Sequence, residues 1–103
     1  MRFDDTIFAL SSGQGKAAVA IVRVSGGLSR DVLASMIKRS FPPPRKAILS
    51  DILDPETREK IDKAIVIWFP GSDSFTGEDM VEYHVHGGTA VISALLESLD
   101  KIE

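Results

Sequence analysis

The sequence predicts an α+β domain with the element order β-β-α-β-β-β-α. Three observations carry this reading. Short β-branched apolar runs end in turn residues, and two other stretches repeat their apolar residues at helical spacing. Strands and helices are mixed without strict strand–helix alternation. At 103 residues the chain has the length of one small domain.

Thr6 to Leu10 (TIFAL) reads as the first strand, followed by a loop of small and polar residues, Ser11 to Lys16. Ala17 to Val24 (AAVAIVRV) reads as a second strand, buried on both faces, with Arg23 interrupting it near its end. Ser25, Gly26 and Gly27 break it. The period then changes. Leu28, Val32, Leu33, Met36 and Ile37 fall on one helix face, with Ser29 as the expected N-cap, Asp31 in the first turn, and Lys38 and Arg39 in the last. Pro42, Pro43 and Pro44 stop that helix and extend the chain.

Arg45 to Leu53 reads as a third strand. Asp54 and Pro55 open a polar turn, and Ala64 to Phe69 (AIVIWF) has the strongest strand composition, so these two strands are expected to form a hairpin. Gly71 to Asp79 is a loop with Phe75 within it. Met80 to His86 alternates, with Val81, Tyr83 and Val85 on one side and Met80, Glu82, His84 and His86 on the other. Gly87 and Gly88 end this strand. Val91, Ile92, Leu95, Leu96 and Leu99 mark a second helix, capped by Thr89 and running on to the last residues, Ile102 and Glu103. With no stop signal there, the chain is expected to be the front of a longer protein.

Composition excludes several classes. The longest apolar runs are six residues, far below the roughly 20 that span a bilayer, so no membrane role is expected. Asp4 and Asp5 stand where a secretory signal carries positive charge, and there is no cysteine. The expectation is a cytoplasmic protein with neither disulfides nor thiol chemistry. Twelve basic and fifteen acidic side chains give a net charge of −3, which lacks the basic footprint of a nucleic-acid binder.

Gly13-Gln14-Gly15-Lys16 is not a phosphate loop, because one residue rather than four separates its glycines. No G-x-S-x-G elbow exposes a serine nucleophile. His84, His86 and Glu82 share a strand face and are a possible metal set. Without cysteine or a further histidine, that face reads instead as a polar surface meeting a ligand, a neighbouring chain or water, and no metal ligand is assigned. A strand carboxylate such as Glu82 is able to accept two hydrogen bonds from a donor–donor edge such as that of a pterin or guanine ring. On local chemistry alone the plainer reading, a solvated strand carboxylate, prevails.

Three segments together resemble the N-terminal domain of the tRNA modification GTPases MnmE (TrmE). They are Asp5-Thr6-Ile7; Ile21-Val22-Arg23-Val24-Ser25-Gly26; and Phe69-Pro70 with Ser74-Phe75-Thr76-Gly77-Glu78-Asp79, Glu82 and His86-Gly87-Gly88. The opening loop departs from the family's usual T-P-P-G, and His84 is not a family constant. The resemblance implies a fold similar to the folate-binding domain of glycine-cleavage T-proteins. There two halves form one unit, so this chain would supply one half and be completed by homodimerisation. It implies 5-formyltetrahydrofolate as ligand, with Arg23 and Glu82 at the family's folate contacts. It also implies the partner MnmG and a role in modifying carbon 5 of the wobble uridine of tRNA. GTP, magnesium, potassium and a third folate contact, a lysine, would all be bound or supplied beyond Glu103, so this stretch carries no GTPase residues. The alternatives are a dimerisation scaffold with an incomplete pocket and, in another class, a metal-dependent hydrolase using His84, His86 and Glu82.

Overall fold

The computed structural model describes residues 2–3, 6–10, 19–71, 77–86 and 88–100. The chain runs β1 (Arg2–Phe3), β2 (Thr6–Leu10), β3 (Val19–Ser25), α1 (Ser29–Met36), β4 (Ile48–Leu53), β5 (Lys60–Phe69), β6 (Met80–His86) and α2 (Thr89–Asp100). All six strands form one sheet in the order β1-β2-β3-β6-β5-β4, with every neighbouring pair antiparallel. The α+β class stands, and the expected order gains one strand. β1 is two residues long, paired through Arg2 with Ile7 and Phe3 with Thr6, and two residues are too few to show a period.

Both helices pack on one face of the sheet. That face presents Ala20, Val22 and Val24 from β3, Val81, Tyr83 and Val85 from β6, and Ala64, Val66 and Trp68 from β5. Val32, Leu33 and Met36 of α1 and Ile92, Leu95 and Leu99 of α2 close over them. Burying each large aliphatic side chain contributes roughly 1.5–3 kcal/mol. Trp68 meets Phe41 edge to face, with ring centroids 5.5 Å apart. Among the described residues no buried side-chain polar atom lacks a partner.

Several local expectations are corrected. β3 is described from Val19 to Ser25, one residue past the expected end, with Ala17 and Ala18 outside the described residues; from Ala20 on it alternates between buried and half-buried positions, so its second face is not sealed. An apolar run looks doubly buried in sequence even where only one layer of helices covers the sheet. Ser29 is the first helical residue, not the N-cap, which is Leu28. Its buried hydroxyl turns inward, within 2.8–3.1 Å of the carbonyls of Gly26, Val24 and Asp79. Lys38 and Arg39 lie beyond the end of α1, whose C-cap Ile37 is extended. The cation at that end is Arg58, which donates to the Ser35 carbonyl at 2.6 Å.

β4 starts at Ile48 rather than Arg45. Arg45 sits at φ 61°, outside strand geometry, and its N–H donates to the Trp68 carbonyl at 2.7 Å. β5 extends back to Lys60, because ladder pairing with β4 carries its polar residues past the apolar core. The β4–β5 hairpin forms as expected. Its turn is built by Asp54, whose Oδ1 accepts the N–H groups of Glu56 at 2.9 Å and Thr57 at 3.0 Å. Thr89 is the first residue of α2 rather than the residue before it; its side chain, residues 11–18 with the loop expected over Ser11 to Lys16, residues 72–76, Gly87 and residues 101–103 lie outside the described residues.

Candidate functional site

β3 and β6 are the two central strands, and their register places Arg23 directly opposite Glu82. Both belong to the face that the helices leave uncovered. Arg23 Nε donates to Glu82 Oε2 at 2.8 Å. His84 lies two residues along β6, opposite Ile21 on one side and Ile65 on the other, and its Nε2 is 2.9 Å from Glu82 Oε1. A carboxylate has no donor, so the hydrogen in that contact sits on His84 Nε2. The two residues predicted separately as ligand contacts are thus a cross-strand ion pair, and the histidine left without a role clamps the same carboxylate.

The Glu82 side chain is only 11% exposed, against 35% for Arg23 and 25% for His84. Burial by itself raises the Glu82 pKa. The hydrogen bonds from Arg23 and His84, with their charge, more than offset it and hold the carboxyl below the ordinary glutamate value of 4.5. The result is a largely buried anion in the middle of the sheet face opposite the helices. A carboxylate offers about four lone-pair positions, and among the described residues two are taken. The other two suit a ligand edge bearing two N–H donors. Beside His84 is a hollow of about 200 Å³ lined by Val19, Leu49, Lys63, Ile65 and His86. Val19, Leu49 and Ile65 are 51%, 57% and 40% exposed, so an apolar apron adjoins the polar centre.

His86 is used differently. Its Nδ1 lies 2.9 Å from Asp62 Oδ1, and its backbone N–H donates to Asp62 Oδ2 at 2.9 Å. The two histidines therefore engage separate carboxylates, and among the described residues no cluster of three or more metal-ligating side chains forms. Sequence spacing missed Asp62, which lies on β5, 24 residues from His86. Asp62 stands before Ala64, where the strand was expected to begin, so the sequence carried no signal for it.

The motif segments also interlock through the backbone. Gly26, at φ 131°, donates its N–H to the Asp79 carbonyl at 2.8 Å, and Asp79 Oδ1 accepts the Gly71 N–H at 2.9 Å. Ser25-Gly26 and Gly77-Glu78-Asp79 thus fix the ends of β3 and β6 against each other, which sets the Arg23–Glu82 register. Ser74, Phe75, Thr76 and Gly87 of the same motifs lie outside the described residues.

Comparison with known proteins agrees with these motifs. Residues 6–102 match the family described as GTP-binding protein TrmE N-terminus. The zebrafish (Danio rerio) mitochondrial 5-taurinomethyluridine-[tRNA] synthase subunit GTPB3 is 52% identical over 99 residues, covering 96% of this chain and 20% of that protein. The tRNA modification GTPase MnmE of Beijerinckia indica is also 52% identical over 99 residues, covering 96% of this chain and 22% of its own. Human GTPB3 is 50% identical over 98 residues, covering 94% of this chain and 20% of that protein. The chain thus spans about a fifth of the length of these relatives. Matched over residues 6–102 and half-identical to MnmE and GTPB3 proteins over nearly its whole length, the chain belongs to the TrmE N-terminal domain family.

Proposed function

We propose that this chain is the folate-binding and dimerisation module of a tRNA modification GTPase, with 5-formyltetrahydrofolate as its ligand. The observation that carries the reading is the ionised, largely buried Glu82 on the sheet face opposite the helices, with acceptor positions left over after Arg23 and His84 among the described residues. A pterin presents a ring N–H and an amino group side by side, and one carboxylate receives both. When bound, the folate would supply a one-carbon unit. The chain's part is to hold the heterocycle: Glu82 accepts its donor edge, Arg23 fixes Glu82, and the apolar apron of Ile65, Leu49 and Val19 covers the ring system. In the whole protein the module would act with MnmG on carbon 5 of the wobble uridine of tRNA. GTP, magnesium and potassium would be bound outside these residues. The acidic balance of the chain supports holding tRNA elsewhere.

Calorimetric titration with 5-formyltetrahydrofolate tests the reading. Glu82→Ala is expected to weaken binding at least tenfold, about 1.4 kcal/mol. Equal affinity in the variant refutes the Glu82 role. A second reading, a dimerisation scaffold without a complete pocket, is favoured by the exposed Val19, Leu49 and Ile65. It predicts a concentration-dependent dimer by sedimentation together with no folate heat.

A further inference from the structure

Glu82 has two oxygens, and each is held by a different side chain from a different direction. Arg23 reaches Oε2 from β3, and His84 reaches Oε1 from its own strand. An unheld glutamate on an open face samples several rotamers, and ordering a long side chain costs entropy each time a ligand binds. A carboxylate clamped at both oxygens has that cost removed beforehand. His84 is suited to the task because its ring is three-quarters buried and flanked by Ile21 and Ile65, which limits its own motion.

We propose that His84 is a positioning residue of the ligand site: its Nε2–H holds Glu82 Oε1 while Arg23 holds Oε2, so the remaining lone pairs meet a pterin's donor edge already aimed. This rests on the folate reading above. The resemblance assigns contacts at Arg23 and Glu82 only, and His84 enters through the geometry. The charged and titratable groups that share its face are Glu82 and His86 on β6, Arg23 on β3, Lys63 on β5 and, beyond Lys63, Asp51 on β4. Of these, only Glu82 touches the His84 ring among the described residues. The clamp therefore acts on one carboxyl, and its loss has a signature in pH. Without His84, burial is opposed by Arg23 alone, and the Glu82 carboxyl titrates at higher pH.

The test uses His84→Ala and His84→Gln in this chain, with Trp68 fluorescence confirming that each is folded. Two readouts are taken. One is the affinity for 5-formyltetrahydrofolate across pH 4–8. The other is NMR titration of the Glu82 side-chain carboxyl in the ligand-free protein. His84→Ala is expected to weaken binding about tenfold near neutral pH, the loss of one charge-assisted hydrogen bond. The acid limb of binding and the Glu82 titration are expected to move together to higher pH. His84→Gln, whose amide is able to donate to Oε1, is expected to restore most of both.

A uniform loss of affinity at every pH, with the Glu82 titration unmoved, means that His84 only packs and overturns the proposal. So does failure of Gln to restore the titration while Ala moves it. If wild type binds no folate yet the Glu82 titration moves in His84→Ala, the clamp is real and the folate reading is what fails; the proposal is then overturned as a statement about pterin recognition. If neither is seen, both fall.

Discussion

Ser98→Ala gives the sharpest test of how the second helix is held. Ser98, 3% exposed on α2, donates to Asp54 Oδ2 at 2.7 Å across 44 residues of sequence. Asp54 is 8% exposed and spends Oδ1 on the turn N–H groups of Glu56 and Thr57. The pair therefore ties the β4–β5 hairpin turn to the C-terminal helix. A hydrogen bond to a carboxylate in such a setting contributes about 1.5–3 kcal/mol, so Ser98→Ala is expected to cost about 2 kcal/mol. At about 4–8 °C per kcal/mol for a domain of this size, the midpoint falls by about 8–16 °C. Asp54→Ala also removes the two turn bonds, at about 1 kcal/mol each, for a total of about 4 kcal/mol. The double variant then costs no more than Asp54→Ala, with a coupling of about 2 kcal/mol. The assay is urea and thermal unfolding followed by Trp68, the single tryptophan, at fixed protein concentration. A Ser98→Ala loss below about 0.5 kcal/mol, or a coupling near zero, refutes the reasoning.

Three further outcomes are expected. Glu82 has its pKa lowered by folding, so its contribution to stability is complete above 4.5 and is lost as pH falls through the lowered value. The urea-stability difference between wild type and Glu82→Gln should shrink as pH falls below 4.5; a difference that grows there contradicts the sign. Leu33→Ala, at a fully buried position of α1, is expected to lose about 2–5 kcal/mol in urea unfolding. Gly77 sits at φ 78° with open space around it, so Gly77→Ala is expected to cost roughly 1–2 kcal/mol through backbone strain alone. Gly27→Ala, with the same open space and no such φ, serves as the control; comparable losses at both positions refute the strain account.

Element type was readable where the apolar pattern was long or clean. β2 and β6 match their expected bounds residue for residue. The errors fall where local signals compete with tertiary ones. Ser29 has the composition of a cap, but the carbonyls of Gly26, Val24 and Asp79 draw its hydroxyl inward. Lys38 and Arg39 suit a helix end, yet Arg58 from a distant turn reaches it first. β1 is shorter than any detectable period.

The candidate site divides in the same way. Arg23 and Glu82 stood out as candidates because each stands inside a short motif of fixed spacing, and such spacing is a property of the chain alone. Family membership followed from those motifs for the same reason. That Arg23 and Glu82 face each other, that His84 closes on the second oxygen, and that Asp62 holds His86 depend on the register of β6 against β3 and β5. A one-residue slip of β6 would send Glu82, His84 and His86 to the opposite face, away from Arg23. Register is set by the Gly26–Asp79 tie and by two helices burying one face, and both join residues far apart in sequence. Motif spacing singles out Arg23 and Glu82 and places the chain in its family; contacts made across the sheet bring Arg23, Glu82 and His84 together and seat His86 on Asp62.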